Sequence, residues 1–309
     1  MNRLGYACIN YGFSILPKKD RISTNRTMIK KTFDEKGMIY ASELALLNCK
    51  DLVKILEWNV KNNILFYRLS SNIFPWASEY ELESLPDWEE IEEELFKASL
   101  IISENNLRIT SHPGPFNKLT SQKESVIQNT IKDLEIHGKV HDYLYLDKTP
   151  YYKINIHVGA AYDDRELACK TFCKNFHRLS DSVKSRLTVE NDDKLSLYST
   201  RELHERIHKE IGIPIVFDFH HHKFCNGEQT ELEALELALS TWGNIKPVCH
   251  YSESRSEEYG DPKIKCNAHS DSYKNPINFY GKSFDVMLEA KHKEKALFKM
   301  RELLKSKGG

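Results

Sequence analysis

The chain has 309 residues, with 44 Lys+Arg against 45 Asp+Glu, a formal net charge of −1, 40% hydrophobic and 11% aromatic residues. This composition excludes disordered and collagen-like chains, and no apolar run approaches the roughly 18 residues that a membrane span requires. The N-terminal MNRLGYACIN lacks the apolar stretch of a signal peptide, and the seven cysteines are odd in number and lie mostly in apolar segments, so a soluble, intracellular protein with reduced thiols and no membrane partner is expected.

Eight short runs rich in β-branched and aromatic residues alternate with longer segments of helical period. In chain order the predicted strands are 3–10 (RLGYACIN), 64–70 (ILFYRLS), 107–112 (LRITSH), 153–158 (KINIHV), 186–191 (RLTVEN), 213–219 (IPIVFDF), 246–250 (KPVCH) and 284–289 (FDVMLE). The last of these is ambiguous with helix. Capping boxes are read at 121–124 (SQKE), 163–166 (DDRE), 199–202 (STRE) and 230–233 (TELE), each opening a helix after a strand. The first connection, 11–39, is long enough to carry elements of its own. Crossovers of about 30 residues imply parallel pairing, and eight such units close into one α/β domain over 1–309, a single (β/α)8 TIM barrel with its site at the C-terminal mouth.

Alternation along the strands sets the chemistry. In 153–158 the apolar Ile154, Ile156 and Val158 face the helices, which turns Lys153, Asn155 and His157 toward the barrel axis. The same phase turns Arg108, Thr110 and His112, then Arg186, Thr188 and Glu190, and Asp218, inward. Barrel interiors are normally filled with Val, Ile and Leu, so this many polar positions need a partner inside. The last inward residue of six strands is a metal-capable group: His112, His157, Glu190, Asp218, His250 and Glu289. His221 follows Asp218 by three residues and His269 lies in the loop after the seventh strand. One histidine at a strand end is ordinarily a hydrogen-bonded core residue, but six strand ends in phase point to a divalent-metal centre. Histidine and carboxylate without thiolate suit Mn²⁺, Zn²⁺ or Fe²⁺. His220, His221 and His222 cannot all point to one site if they alternate along a strand. The helical pairs His137/His141 and His204/His208 lack a carboxylate partner and read, like Cys169 and Cys173, as outer-helix residues.

From Leu4 to Arg301 the chain resembles the UV damage endonucleases, on LGYACIN (4–10), STNRT (23–27), YRLSSNIFPWAS (67–78), SHPGPF (111–116), NIHVGAA (155–161), TVENDD (188–193), VFDFHHH (216–222), HYSES (250–254), AHSDSY (268–273) and MLEAKHKEKAL (287–297). The resemblance implies a barrel with two to three divalent ions, Mn first and Zn, Fe, Mg or Co as alternatives, that cuts double-stranded DNA immediately 5′ of a UV photoproduct. It implies His112, His157, Glu190, Asp218, His221, His250, His269 and Glu289 as metal ligands, choosing His221 among its neighbours. Three positions depart from the family pattern. Glu79 stands where a ligand histidine usually follows PWAS, Val248 replaces a carboxylated lysine, and Pro115-Phe116 replaces the damage-probing Gln-Tyr.

On this footing Glu190 is expected to bridge two ions, with Asp218, His250 and Glu289 completing one, His112, His157 and Glu79 another, and His221 and His269 the third. Glu190, Asp218, His250 and Glu289 are the expected catalytic ligands, and Val248 is expected to weaken the third ion. Tyr6, Asn10, Pro115 and Phe116 are expected to enter the duplex at the lesion, with Phe116 as a wedge. Lys18, Lys19, Arg21, Arg26, Lys30 and Lys31, six basic residues in the first connection, are expected to meet phosphates. A monomer suffices for this. The rivals are an abasic-site endonuclease of the same barrel type, a sugar isomerase barrel, and a metal-bearing barrel that binds DNA without cutting it.

Overall fold

The computed structural model describes residues 2–307. All eight expected strands are present: β1 (Leu4–Ala7), β2 (Phe66–Arg68), β3 (Arg108–Thr110), β4 (Ile154–His157), β5 (Leu187–Glu190), β6 (Ile215–Asp218), β7 (Val248–Tyr251) and β8 (Asp285–Leu288). They pair in parallel in the order β3-β2-β1-β8-β7-β6-β5-β4. Ser111 joins the two ends: its N–H donates to the Lys153 carbonyl and its carbonyl accepts from Asn155 N–H, each at 2.9 Å. The sheet thereby closes into the expected barrel.

The first connection carries its own elements, a helical turn at Tyr11–Ser14, a 3₁₀ turn at Lys18–Asp20 and the start of the long helix Lys30–Lys61. That helix breaks at Gly37, whose φ of 62° is one that glycine tolerates best. The caps Ser199/Glu202 and Thr230/Glu233 form complete capping boxes. At the cap expected at 163–166 the Asp164 side chain, one residue later than expected, accepts from Leu167 N–H at 2.9 Å. The cap expected at 121–124 is corrected: the helix Glu124–Tyr143 has no side-chain cap, because Ser121 Oγ turns to Lys123 N–H instead.

Most apolar burial lies between sheet and helices. The axis is layered differently. At its amino-terminal end Arg108 and Asp285 pair at 3.0 Å, both buried. Above them sits a small apolar plug of Ala7, Phe66, Val216, Trp242, Val248 and Met287. Val248 is therefore core, in the layer directly beneath the strand-end residues. Gly5 lines this layer because a Cβ there would come within 2.7 Å of the Phe66 ring. Arg186 departs from the inward phase: its guanidinium reaches Asp142 at 2.7 Å on the Glu124–Tyr143 helix.

Candidate metal centre

The polar layer at the carboxyl-terminal mouth follows from strand phase, since each inward strand-end residue sits one step above the apolar plug. Three groups result, each with its ligand atoms within 4.8 Å of one another: His112, Glu190 and His250; His157, Glu190 and His221; and Asp218, His250 and Glu289. Glu190 and His250 each belong to two of them. Glu190 Oε2 lies 3.2 Å from His112 Nε2 and 3.1 Å from His250 Nδ1, and Oε1 lies 3.5 Å from His221 Nδ1. His250 Nδ1 is also 3.2 Å from Glu289 Oε1.

Further side chains hold these groups in place. Thr188 donates to Asn155 Oδ1 at 2.8 Å, and the Asn155 amide donates to Glu190 Oε2 in a short contact. The inward Thr188 and Asn155 thus serve to orient one carboxylate. Asp192 Oδ1 lies 3.1 Å from His157 Nδ1, and the Asn191 carbonyl 2.9 Å from His221 Nδ1. Lys153 starts two levels below the mouth, but its buried amine climbs to 3.0 Å from His250 Nε2, which turns Nδ1 toward the carboxylates. Arg68, the inward end of β2, pairs closely with Glu289.

The titration of these groups reflects this crowding. Burial raises the Glu190 carboxyl, but His250, His157 and His112 outweigh it and hold the group well below the ordinary range. Burial lowers His157, yet Glu190 and Asp192 carry it up to about 9. Burial dominates at His112, pushed down to about 4, and at Lys153, pushed down to about 7. For Glu289, Arg68 and His250 together overcome burial and keep it well below normal. Among the buried ligand atoms that make no hydrogen bond are Asp218 Oδ2 and His250 Nδ1, the latter although it lies 3.1 Å from Glu190 Oε2. Buried polar atoms left unpaired are costly, and a cation would satisfy both, so this donor set fits divalent ions.

The structure brings together seven of the expected ligands and separates two. Glu79 is solvent-exposed in a 3₁₀ turn and lines a groove beside the Glu124–Tyr143 helix, so the expected grouping with His112 and His157 does not form. His269 faces the cavity, but its Nδ1 stands 3.8 Å from Glu289 Oε2 and belongs to none of the three groups. His220, His221 and His222 form a helical turn, not a strand, because Asp218 Oδ1 accepts from His221 N–H at 2.7 Å and caps it. That turn sends His221 to the centre and leaves His220 buried with neither ring nitrogen paired. The pairs His137/His141 and His204/His208 lie on outer helices as expected; His141 Nε2 meets Ser111 Oγ at 2.8 Å.

The mouth opens into a cavity of about 530 Å³ lined by His112, His157, Glu190, His221, His269 and the loop 113–118. The family described as UV-endonuclease UvdE matches residues 2–308. The chain belongs to this family. It is 33% identical over 314 residues to a UV DNA damage endonuclease of Clostridium perfringens, covering 98% of this chain and 71% of that protein. It is likewise 33% identical over 318 residues to a UV-damage endonuclease of Schizosaccharomyces pombe, where the match covers 96% of this chain and half of that longer protein. The crystal structure of SacUVDE superposes with a TM-score of 0.84 at 29% identity, covering 100% of this chain and 99% of that one. No described helix is long and apolar enough to cross a membrane.

The expected DNA-contacting residues divide sharply by exposure. Phe116 is 87% exposed on the cavity rim beside Pro115. Tyr6 and Asn10 require correction. Tyr6 is fully buried, its hydroxyl donating to Asn59 Oδ1 at 2.7 Å, because the phase of β1 puts Gly5 and Ala7 inward and Tyr6 against the helices. Asn10 is buried as the cap of Tyr11–Ser14, accepting from Phe13 N–H at 3.1 Å. Neither presents a side chain to a duplex. Among the basic residues, Arg26 pairs with the buried Asp51 at 2.6 Å and braces its own loop, a structural role. Lys30 pairs with Asp34, and Lys31 lies 3.9 Å from Glu35. Lys18, Lys19 and Arg21 are exposed, the last donating Nε to the Leu16 carbonyl at 2.9 Å.

Proposed function

We propose that this protein is a metal-dependent DNA repair endonuclease that, as a monomer, binds double-stranded DNA containing a UV photoproduct and hydrolyses the phosphodiester immediately 5′ of the lesion. The observation that carries the reading is the set of three overlapping ligand groups, sharing Glu190 and His250, at the floor of an open cavity. Two or three divalent ions, Mn²⁺ first, would be held there by His112, His157, Glu190, Asp218, His221, His250 and Glu289, with His269 as a further donor at the rim. When bound, such ions neutralise charge at the attacking and leaving oxygens and make a nucleophile available at neutral pH.

The rest of the work falls to the chain. Asn155 fixes Glu190 between two groups, Asp192 sets the ring of His157, and Lys153 fixes the rotation of His250. Arg68 keeps Glu289 ionised and, deep in the mouth, adds a permanent cation toward an incoming phosphate. Phe116, held out from the rim, stacks in the gap where a photoproduct has weakened base stacking, and opening such a step costs less than opening an intact one. Hydrolysis leaves a 3′-hydroxyl and a 5′-phosphate.

Incubation of irradiated, abasic and untreated plasmid with the protein and Mn²⁺ tests the reading. The expected result is nicking of irradiated plasmid alone, lost on chelation. Nicking of abasic plasmid alone would identify an abasic-site endonuclease, and binding with no nicking of any plasmid would identify a non-cutting barrel.

A further inference from the structure

Among the described residues, the two most exposed large apolar side chains are Phe116 at 87% and Leu195 at 78%. A lone exposed leucine needs no explanation. These two, however, stand on different loops that line one cavity, the loop after β3 through 113–118 and the loop after β5 through Asp192, Asp193, Lys194 and Leu197. The loop after β4 lies between them, lining the same cavity through Gly159 and adding Tyr162, 43% exposed, to the neighbouring groove that Phe116 also lines. Three consecutive mouth loops therefore each display an exposed apolar side chain.

The exposure of Leu195 is built in. Arg165 donates Nη2 to the Leu195 carbonyl at 2.6 Å and Nη1 to the Leu197 carbonyl at 2.7 Å, and is itself held by Glu202 at 2.6 Å. Asp192 N–H donates to the Tyr198 carbonyl and Leu197 N–H to the Lys194 carbonyl, each at 2.9 Å. Asn267 donates to Asp193 Oδ2 at 2.5 Å. With its backbone pinned on both sides, Leu195 cannot fold back to the core, where its neighbour Leu197 packs. An apolar side chain fixed in water beside a substrate cavity gains most when the substrate buries it.

We propose that Leu195 is a specificity-determining residue that packs into the distorted base step of a damaged duplex, on the far side of the β4 loop from Phe116. Leucine is among the side chains that wedge between base steps, and a photoproduct step, already unstacked, admits it where an intact step resists. The exposed Lys194 beside it is placed to meet a flanking phosphate. The inference rests on the photoproduct reading above and deepens it by naming a second element of lesion recognition.

The test compares wild type, Leu195→Ala and Leu195→Met on a duplex carrying one defined photoproduct and on the same duplex undamaged, in Mn²⁺. For Leu195→Ala, KM on the damaged duplex should rise about tenfold, the loss expected for one leucine's burial, with the effect confined to KM. Its binding to undamaged duplex should not change, and Leu195→Met should restore the damaged-duplex KM. An unchanged KM for Leu195→Ala, or equal weakening on damaged and undamaged duplex, would overturn the assignment. Failure of the wild type to cut beside the photoproduct would remove the functional reading itself, and is seen separately because it needs no variant.

Discussion

Glu190→Gln probes the centre at its most connected point. Glu190 is 1% exposed and belongs to two of the three ligand groups. Its oxygens meet His112 at 3.2 Å, His250 at 3.1 Å and His221 at 3.5 Å, besides the Asn155 amide. Glutamine keeps the volume, removes the charge and sets an NH₂ where an ion needs a lone pair. Hydrogen bonds to a charged group contribute about 1.5–3 kcal/mol, so loss of the charged ligand should weaken each of the two groups roughly 10- to 150-fold. If both must fill for hydrolysis, incision at limiting Mn²⁺ falls at least about a hundredfold. The fold should survive, because the surrounding imidazoles can remain neutral and then need no counter-charge. Elemental analysis should give fewer ions per chain, single-turnover nicking should be lost, and the far-ultraviolet circular dichroism should match wild type. Full metal content together with near-normal nicking would refute the bridging role.

Phe116→Ala should leave the melting temperature unchanged, since the side chain is 87% exposed, while the binding preference for damaged over undamaged duplex drops about tenfold, as expected for loss of one stacked aromatic. An unchanged preference in competition binding would remove the wedge. Calorimetric titration of metal-free protein with Mn²⁺ should resolve one site looser than the rest, because Val248 supplies no ligand from the plug layer and His269 stands outside the three groups; three equally tight ions would contradict this. His141 gives a pH prediction. Burial, with Arg186 and His137 adding to it, holds its imidazole well below the ordinary range, so below pH about 6.5 the unfolded chain takes up a proton that the folded chain refuses. Stability should therefore fall with falling pH by about 1.4 kcal/mol per unit for this group alone, and His141→Gln should remove that increment from urea unfolding curves measured between pH 7 and 5. An identical slope in the variant would show that His141 is not the group responsible.

The eight strands and most of the ligand set were legible in the sequence for one physical reason. Period-two alternation places every second residue on the barrel axis, and His112, His157, Glu190, Asp218, His250 and Glu289 share that phase. What lies off a strand was not legible in this way. Glu79 falls in a 3₁₀ turn whose direction no periodicity fixes, and the turn at His220–His222 is helical because the Asp218 side chain caps it. The burial of Tyr6 does carry a sequence signal: Gly5 and Ala7, the small residues of β1, mark the axis side and leave Tyr6 facing the helices. Arg68 could have been found by the same phase that gave the ligands, since Phe66 and Arg68 are the inward pair of β2. Strand phase turns Lys153 inward, but its contact with His250 depends on a long side chain climbing past the apolar plug, which strand phase does not describe.

The central claim is incision immediately 5′ of a photoproduct by a metal centre on this barrel. It is tested most directly with a duplex oligonucleotide carrying one defined photoproduct and a label at the 5′ end of the damaged strand, incubated with the protein and Mn²⁺ and resolved at single-nucleotide resolution. The account predicts one labelled product, ending in a 3′-hydroxyl directly before the lesion, absent after chelation and absent with Glu190→Gln. Cleavage elsewhere, cleavage of the undamaged duplex at the same rate, or the same product in the presence of chelator would contradict it.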